Sequence, residues 1–140
     1  MKRLSSLMLA LALFTAVPLS HAEDTSCRYL NGGIGEGDQA MMRHIAKEFP
    51  LRIEFSEGEH GAFLTDIPVT IKDQHGKVVL NLPDVGPMLY VHLPKGQYTI
   101  RAVSDNVAQS GKVTLDGKHS KQVILHWKGA PDEVTKEQDE

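Results

Sequence analysis

Apolar and polar positions along this chain change rhythm three times. An apolar run from Leu4 to Val17 follows Lys2 and Arg3 and is broken by Pro18. Later, Met41, Ile45 and Phe49 recur at helical spacing on one face, with Asp38 placed to cap the segment. Pro50 disfavours helical geometry at Phe49, so a single helix is expected from Asp38 to about Lys47 or Glu48. From Leu51 the period drops to two: Leu51, Ile53 and Phe55 alternate with Arg52 and Glu54, as in a strand with one wet face.

Short strands are then expected at Val69–Lys72, Val78–Leu82, Met88–Leu93, Gln97–Val103, Gln109–Leu115 and Gln122–Trp127, with an earlier one near Cys27–Leu30. Turn chemistry separates them. Asp73 can bond a backbone N–H two residues on, and Gly76 supplies positive φ for a hairpin. Pro94 presets a turn that Gly96 follows, and Asp116-Gly117 is a second hairpin signal. Six or seven short strands at even spacing indicate a mainly-β antiparallel sandwich or barrel. The expected core is Ile53, Phe55, Val69, Ile71, Val78, Leu80, Leu89, Val91, Leu93, Tyr98, Ile100, Val113, Leu115, Val123, Leu125 and Trp127.

Three stretches carry a family resemblance: Asp66-Ile67-Pro68-Val69-Thr70-Ile71, Asp73 to Lys77, and Leu93-Pro94-Lys95-Gly96-Gln97-Tyr98-Thr99-Ile100. The Pro-x-Gly-x-Tyr-Thr entry into a long strand, some twenty residues after an Asp-x-x-Gly-Lys hairpin, resembles the carboxypeptidase regulatory-like domain. The resemblance runs from Ala62 to Lys128. It implies a seven-stranded transthyretin-like (prealbumin-like) sandwich over residues 61–128, with residues 23–60 as an extension packed on one end or edge. It implies little about function, because the module is a widespread accessory piece. The enzymes associated with this fold leave no mark here: no His-Glu-x-x-His motif occurs, and His126-Trp127-Lys128-Gly129 stands where the purine-pathway hydrolases carry a Tyr-Arg-Gly-Ser signature.

Composition adds the compartment. A charged start, an apolar run of 14 residues and Ser20-His21-Ala22 read as a secretory signal over residues 1–22, too short to span a bilayer, which takes about 20 apolar residues. Cleavage after Ala22 leaves 118 residues, one domain, and removes two of 15 basic residues, so that 13 face 18 acids for a net charge of −5. That balance argues against nucleic acid and gives no attraction to anionic lipid. The acid-rich end, residues 129–140, is expected to be disordered. Cys27, the one cysteine, sits behind Asp24-Thr25-Ser26 and not at a lipidation position; it is buried, free, or paired between chains.

Candidate chemistry is sparse. Gly33-Ile34-Gly35-Glu36-Gly37-Asp38 precedes the helix as a phosphate loop would, but Glu36 and Asp38 put carboxylates where the phosphate would sit. No histidine forms a His-x-His pair or zinc spacing with cysteine. If the strands holding them are neighbours, Met88, His92 and His126 could share an outward face with Tyr90 and offer copper a soft donor set. Glu54, Glu57, Glu59 and His60 concentrate ionisable groups on a loop and would form a hydrolytic or calcium site only within a pocket. No nucleophile elbow frames a serine. The sequence therefore points to an exported, periplasmic or secreted, non-catalytic module without a cofactor, binding a protein or polymer partner in the cell envelope. A small metal binder using Met88, His92 and His126 and a small hydrolase around Glu57, Glu59 and His60 stand as alternatives.

Overall fold

The computed structural model describes residues 27–129. The expected signal and the tail beyond Gly129 lie outside these residues. Two sheets stack face to face over one apolar core. The first contains β1 (Tyr29–Gly32), β6 (Met88–Val91), β2 (Leu51–Glu57), β3 (Ala62–Phe63) and β9 (Lys121–Trp127). The second runs in the order β5 (Val78–Val85), β4 (Ile67–Asp73), β7 (Gly96–Ser104) and β8 (Val107–Leu115). Among the described residues there are nine strands, not seven: β1 lies close to the strand expected near Cys27–Leu30, whereas the two-residue β3 is too short to show a period.

The period-two pattern of β2 does what it predicts. Leu51, Ile53 and Phe55 are fully buried in the core, beside their β6 neighbours Leu89 and Val91 and with Ile71 and Ile100 of the second sheet in the same cluster. Burying each such side chain is worth about 1.5–3 kcal/mol relative to leaving it in water. The expectation that residues 23–60 form an addition at an edge fails for β2. This strand lies between β6 and β9, pairing antiparallel with the first and parallel with the second.

That parallel pair also corrects the reading of Asp116-Gly117 as a hairpin. Asp116 accepts N–H bonds from Lys118 and His119, and Gly117 has φ 76°, so the tight turn forms. It carries the chain to the other sheet, however, where β9 runs alongside β2. The Asp73 turn is a true hairpin: the Asp73 carboxylate accepts from the His75 and Lys77 amides, and Gly76 has φ 78°. The β7–β8 hairpin closes on Asp105-Asn106, both with positive φ, the pair that a type I′ turn demands.

Two core assignments shift with the sheet geometry. A bulge between Ile71 and Lys72 moves the register of β5, so Val78 sits opposite Lys72 and is 47% exposed, while Val79 packs against the core. Val113 and Val123 are half-buried against the core edge. There the sheets come close: a Cβ on Gly111 would lie 3.0 Å from Val123 Cγ1. The Trp127 indole N–H donates across the gap to the Val107 carbonyl at 2.8 Å.

The helix α1 (Glu36–Ile45) and a 3-10 turn (Ala46–Glu48) cover the outer face of the first sheet over β1 and β6. The buried helical positions are Met42 and Ala46, flanked by Ile45 and Phe49, whereas Met41 is 45% exposed. The apolar stripe is thus rotated one residue from the Met41-Ile45-Phe49 expectation. Asp38 does not cap the helix, whose N-cap is Gly35; it lies in the first turn, and its carboxylate accepts the Gly33 and Ile34 amides. No helix among the described residues is long and apolar enough to cross a membrane.

Candidate functional site

The outer face of the first sheet divides into a covered and an uncovered half. Register places Leu30, Tyr90, Arg52 and Gln122 in one row, and Gly32, Met88, Glu54 and Ile124 in the next. The first two members of each row lie on β1 and β6, beneath the helix. Met88 and Tyr90 are buried there with Met42 and Ala46. A Cβ on Gly33 would meet the Met88 side chain at 2.9 Å, so glycine is what lets the chain cross so close. The Phe49 ring packs at 5.7 Å from Tyr90 and 5.5 Å from His92. Burial raises the Tyr90 hydroxyl pKa, and the neighbouring Glu54 carboxylate pushes the same way.

The β2–β9–β3 half has no helix above it. Ile124 is 57% exposed and Phe63 is 39% exposed. Between them lie Ser56 and His126, which are register partners, and Ser56 is also the register partner of Phe63. The Ser56 hydroxyl and His126 Nδ1 are 2.9 Å apart. Two rows away, Arg52 Nε donates to Ser120 Oγ at 2.9 Å. Among the described residues β9 pairs with β2 alone, and β8 of the second sheet lies close beside it without joining its ladder.

This geometry dissolves the expected donor set of Met88, His92 and His126. Met88 is fully buried because the helix covers it, which the alternation within β6 could not reveal. His92 and His126 do point outward, at opposite ends of β2. His126 pairs with Ser56, and His92 follows Val91, the partner of Leu51. Six residues of strand, at about 3.3 Å each, hold the two imidazoles roughly 20 Å apart. Among the described residues no group of three or more His, Cys, Asp or Glu side chains could hold a metal ion.

The acidic loop fares no better as a site. Glu57 ends β2, and Glu59 and His60 are exposed on the Gly58–Gly61 turn. The described grooves, of about 580, 360 and 230 Å3, are lined by other residues. At the glycine cluster, the Asp38 carboxylate occupies the Gly33 and Ile34 amides that a phosphate would need. Cys27 is half-buried against the core, its Sγ 3.5 Å from the His92 carbonyl, and burial raises the thiol pKa away from reactivity.

Ser56 and His126 resemble a nucleophile paired with its base only in outline. Ser56 is 8% exposed on the outer face of the first sheet, so its hydroxyl is largely withdrawn from solvent. Two apolar side chains, Ile124 and Phe63, flank this polar pair on the uncovered face. The signal for Ile124 was present in the alternation of β9, since Val123, Leu125 and Trp127 face inward and leave Ile124 on the wet side. Phe63 had no such signal, because β3 is too short to show a period. No family model and no curated protein matches this chain.

Proposed function

We propose that this chain is an exported, non-catalytic β-sandwich module of the cell envelope that binds a protein partner on the uncovered half of its first sheet. The observation that carries the reading is the exposure of Ile124 and Phe63 on one face, around the Ser56–His126 pair. Two large apolar side chains held out on rigid strands gain by being covered, and aromatic and aliphatic anchors of this kind dominate binding energy when a partner buries them.

The export part of the reading is supported by the secretory signal read over residues 1–22. The family part is supported by the Asp73–Lys77 and Leu93–Ile100 signatures. The doubly substituted Ile124→Glu, Phe63→Glu protein tests the site. Both positions are exposed, so its unfolding midpoint should stay within a few degrees of wild type, while recovery of the partner from an envelope extract falls at least about tenfold. Undiminished recovery would move the binding surface elsewhere.

A further inference from the structure

At one end of the sandwich three connections meet around a groove of about 360 Å3. Its walls are the Lys47–Pro50 segment entering β2, the His92–Lys95 turn before β7, and the Gly117–Ser120 turn before β9. Each segment brings one exposed lysine: Lys47, Lys95 and Lys118. His92 and His119 add two imidazoles, and Glu48 is the one carboxylate of the lining. The whole chain has a formal net charge of −3, so this lining runs against the sign of the molecule.

The groove is built on a fixed frame. Ser120 Oγ donates to the Phe49 carbonyl at 2.6 Å, and the Lys121 amide donates to the Pro50 carbonyl at 2.8 Å. Those bonds tie the third wall to the first. Gly117 brings the third wall against the second, since a Cβ there would lie 3.5 Å from Lys95 Cβ. Asp116, behind the turn, is already engaged by the Lys118 and His119 amides and by His119 Nδ1. Among the described residues its bridge to His119 is the one ion pair, so none of the three lysines has a carboxylate partner there.

We infer that this groove binds a phosphoryl group. Like charges gathered from three separate segments on a fixed frame are relieved by a multiply charged anion. Ammonium groups act as point charges, and one on each of three walls suits an anion whose oxygens are arranged tetrahedrally. The lining has no arginine, whose planar fork would favour a carboxylate. The site is separate from the sheet face proposed above and stands or falls independently of it.

The test is a titration of the purified protein with pyrophosphate, followed by backbone amide NMR in low salt, with sodium chloride of matched ionic strength as control. Saturable shifts confined to Lys47–Pro50, His92–Lys95 and Gly117–Ser120 are expected. Affinity should fall at least tenfold in the Lys47→Gln, Lys95→Gln, Lys118→Gln protein, and by less in Lys118→Gln alone. Flotation with phosphatidate vesicles, against phosphatidylcholine vesicles, separates the sources. Flotation competed by pyrophosphate assigns the group to a lipid headgroup, and pyrophosphate binding without flotation assigns it to a soluble phosphate compound. Shifts spread over the surface, no saturation, or equal binding by a triple variant with a native spectrum would overturn the site.

Discussion

Asp116 is exposed, yet its carboxylate accepts from the Lys118 amide, the His119 amide and His119 Nδ1 at 2.7–2.8 Å. Hydrogen bonds to the charged form favour it, so the backbone and side chain of His119 hold this carboxyl far below its ordinary value of 3.8. A carboxylate with a lowered folded pKa stabilises the fold fully above its unfolded value. That contribution is lost as pH falls from there toward the folded value. The Asp116 side-chain carbon, followed by NMR, should therefore titrate well below its ordinary value of 3.8. The amides of Lys118 and His119 should lose protection only at that lower pH. An ordinary midpoint would mean the turn is held by its glycine alone. At this scale the sequence was legible where the Asp73 side chain serves its own backbone, whereas at Asp116 it marked the tight turn and not the carboxylate's bonds to it. It was not legible at Val78, because a bulge of one residue reverses which way a side chain points and leaves no trace in composition.

Strands and helix were readable from period and punctuation, but their neighbours were not. The alternation of β6 marks Leu89 and Val91 as inward and Met88 and Tyr90 as outward. Only the helix, placed from more than forty residues away, decides that outward also means buried. The same blindness affected Asp116-Gly117: a tight turn is legible, whereas whether the next strand pairs with the last or crosses to the opposite sheet depends on the whole core. The candidate metal face failed for this reason, since shared orientation does not imply shared position along a strand. Met88 gives a direct check on the helix–sheet layer. Because it is fully buried, Met88→Ala should cost about 2–5 kcal/mol in urea unfolding, and Met88→Leu less than about 1.5 kcal/mol. A nearly neutral Met88→Ala would mean that α1 does not pack where it is described.

As a whole, the molecule is asymmetric in a way that bears on its role. One half of the first sheet is sealed by α1, and the other half holds out Ile124 and Phe63 around a serine–histidine pair. The outward face of the second sheet is mostly polar: Lys72, Arg101 and Lys112 are exposed beside Thr70, Thr99 and Ser110 in register, with the half-exposed Val78 as an apolar side chain opposite Lys72. A partner that gains by covering apolar surface therefore has reason to choose the first sheet over the second. Site-specific photo-cross-linking in intact cells separates the faces most directly, with the reactive residue placed at Ile124 in one strain and at Arg101 in another. The account predicts one dominant adduct from Ile124 that is absent from Arg101 and disappears when Phe63 is changed to Glu. Adducts of equal strength from both positions, or an adduct from Arg101 alone, would contradict it.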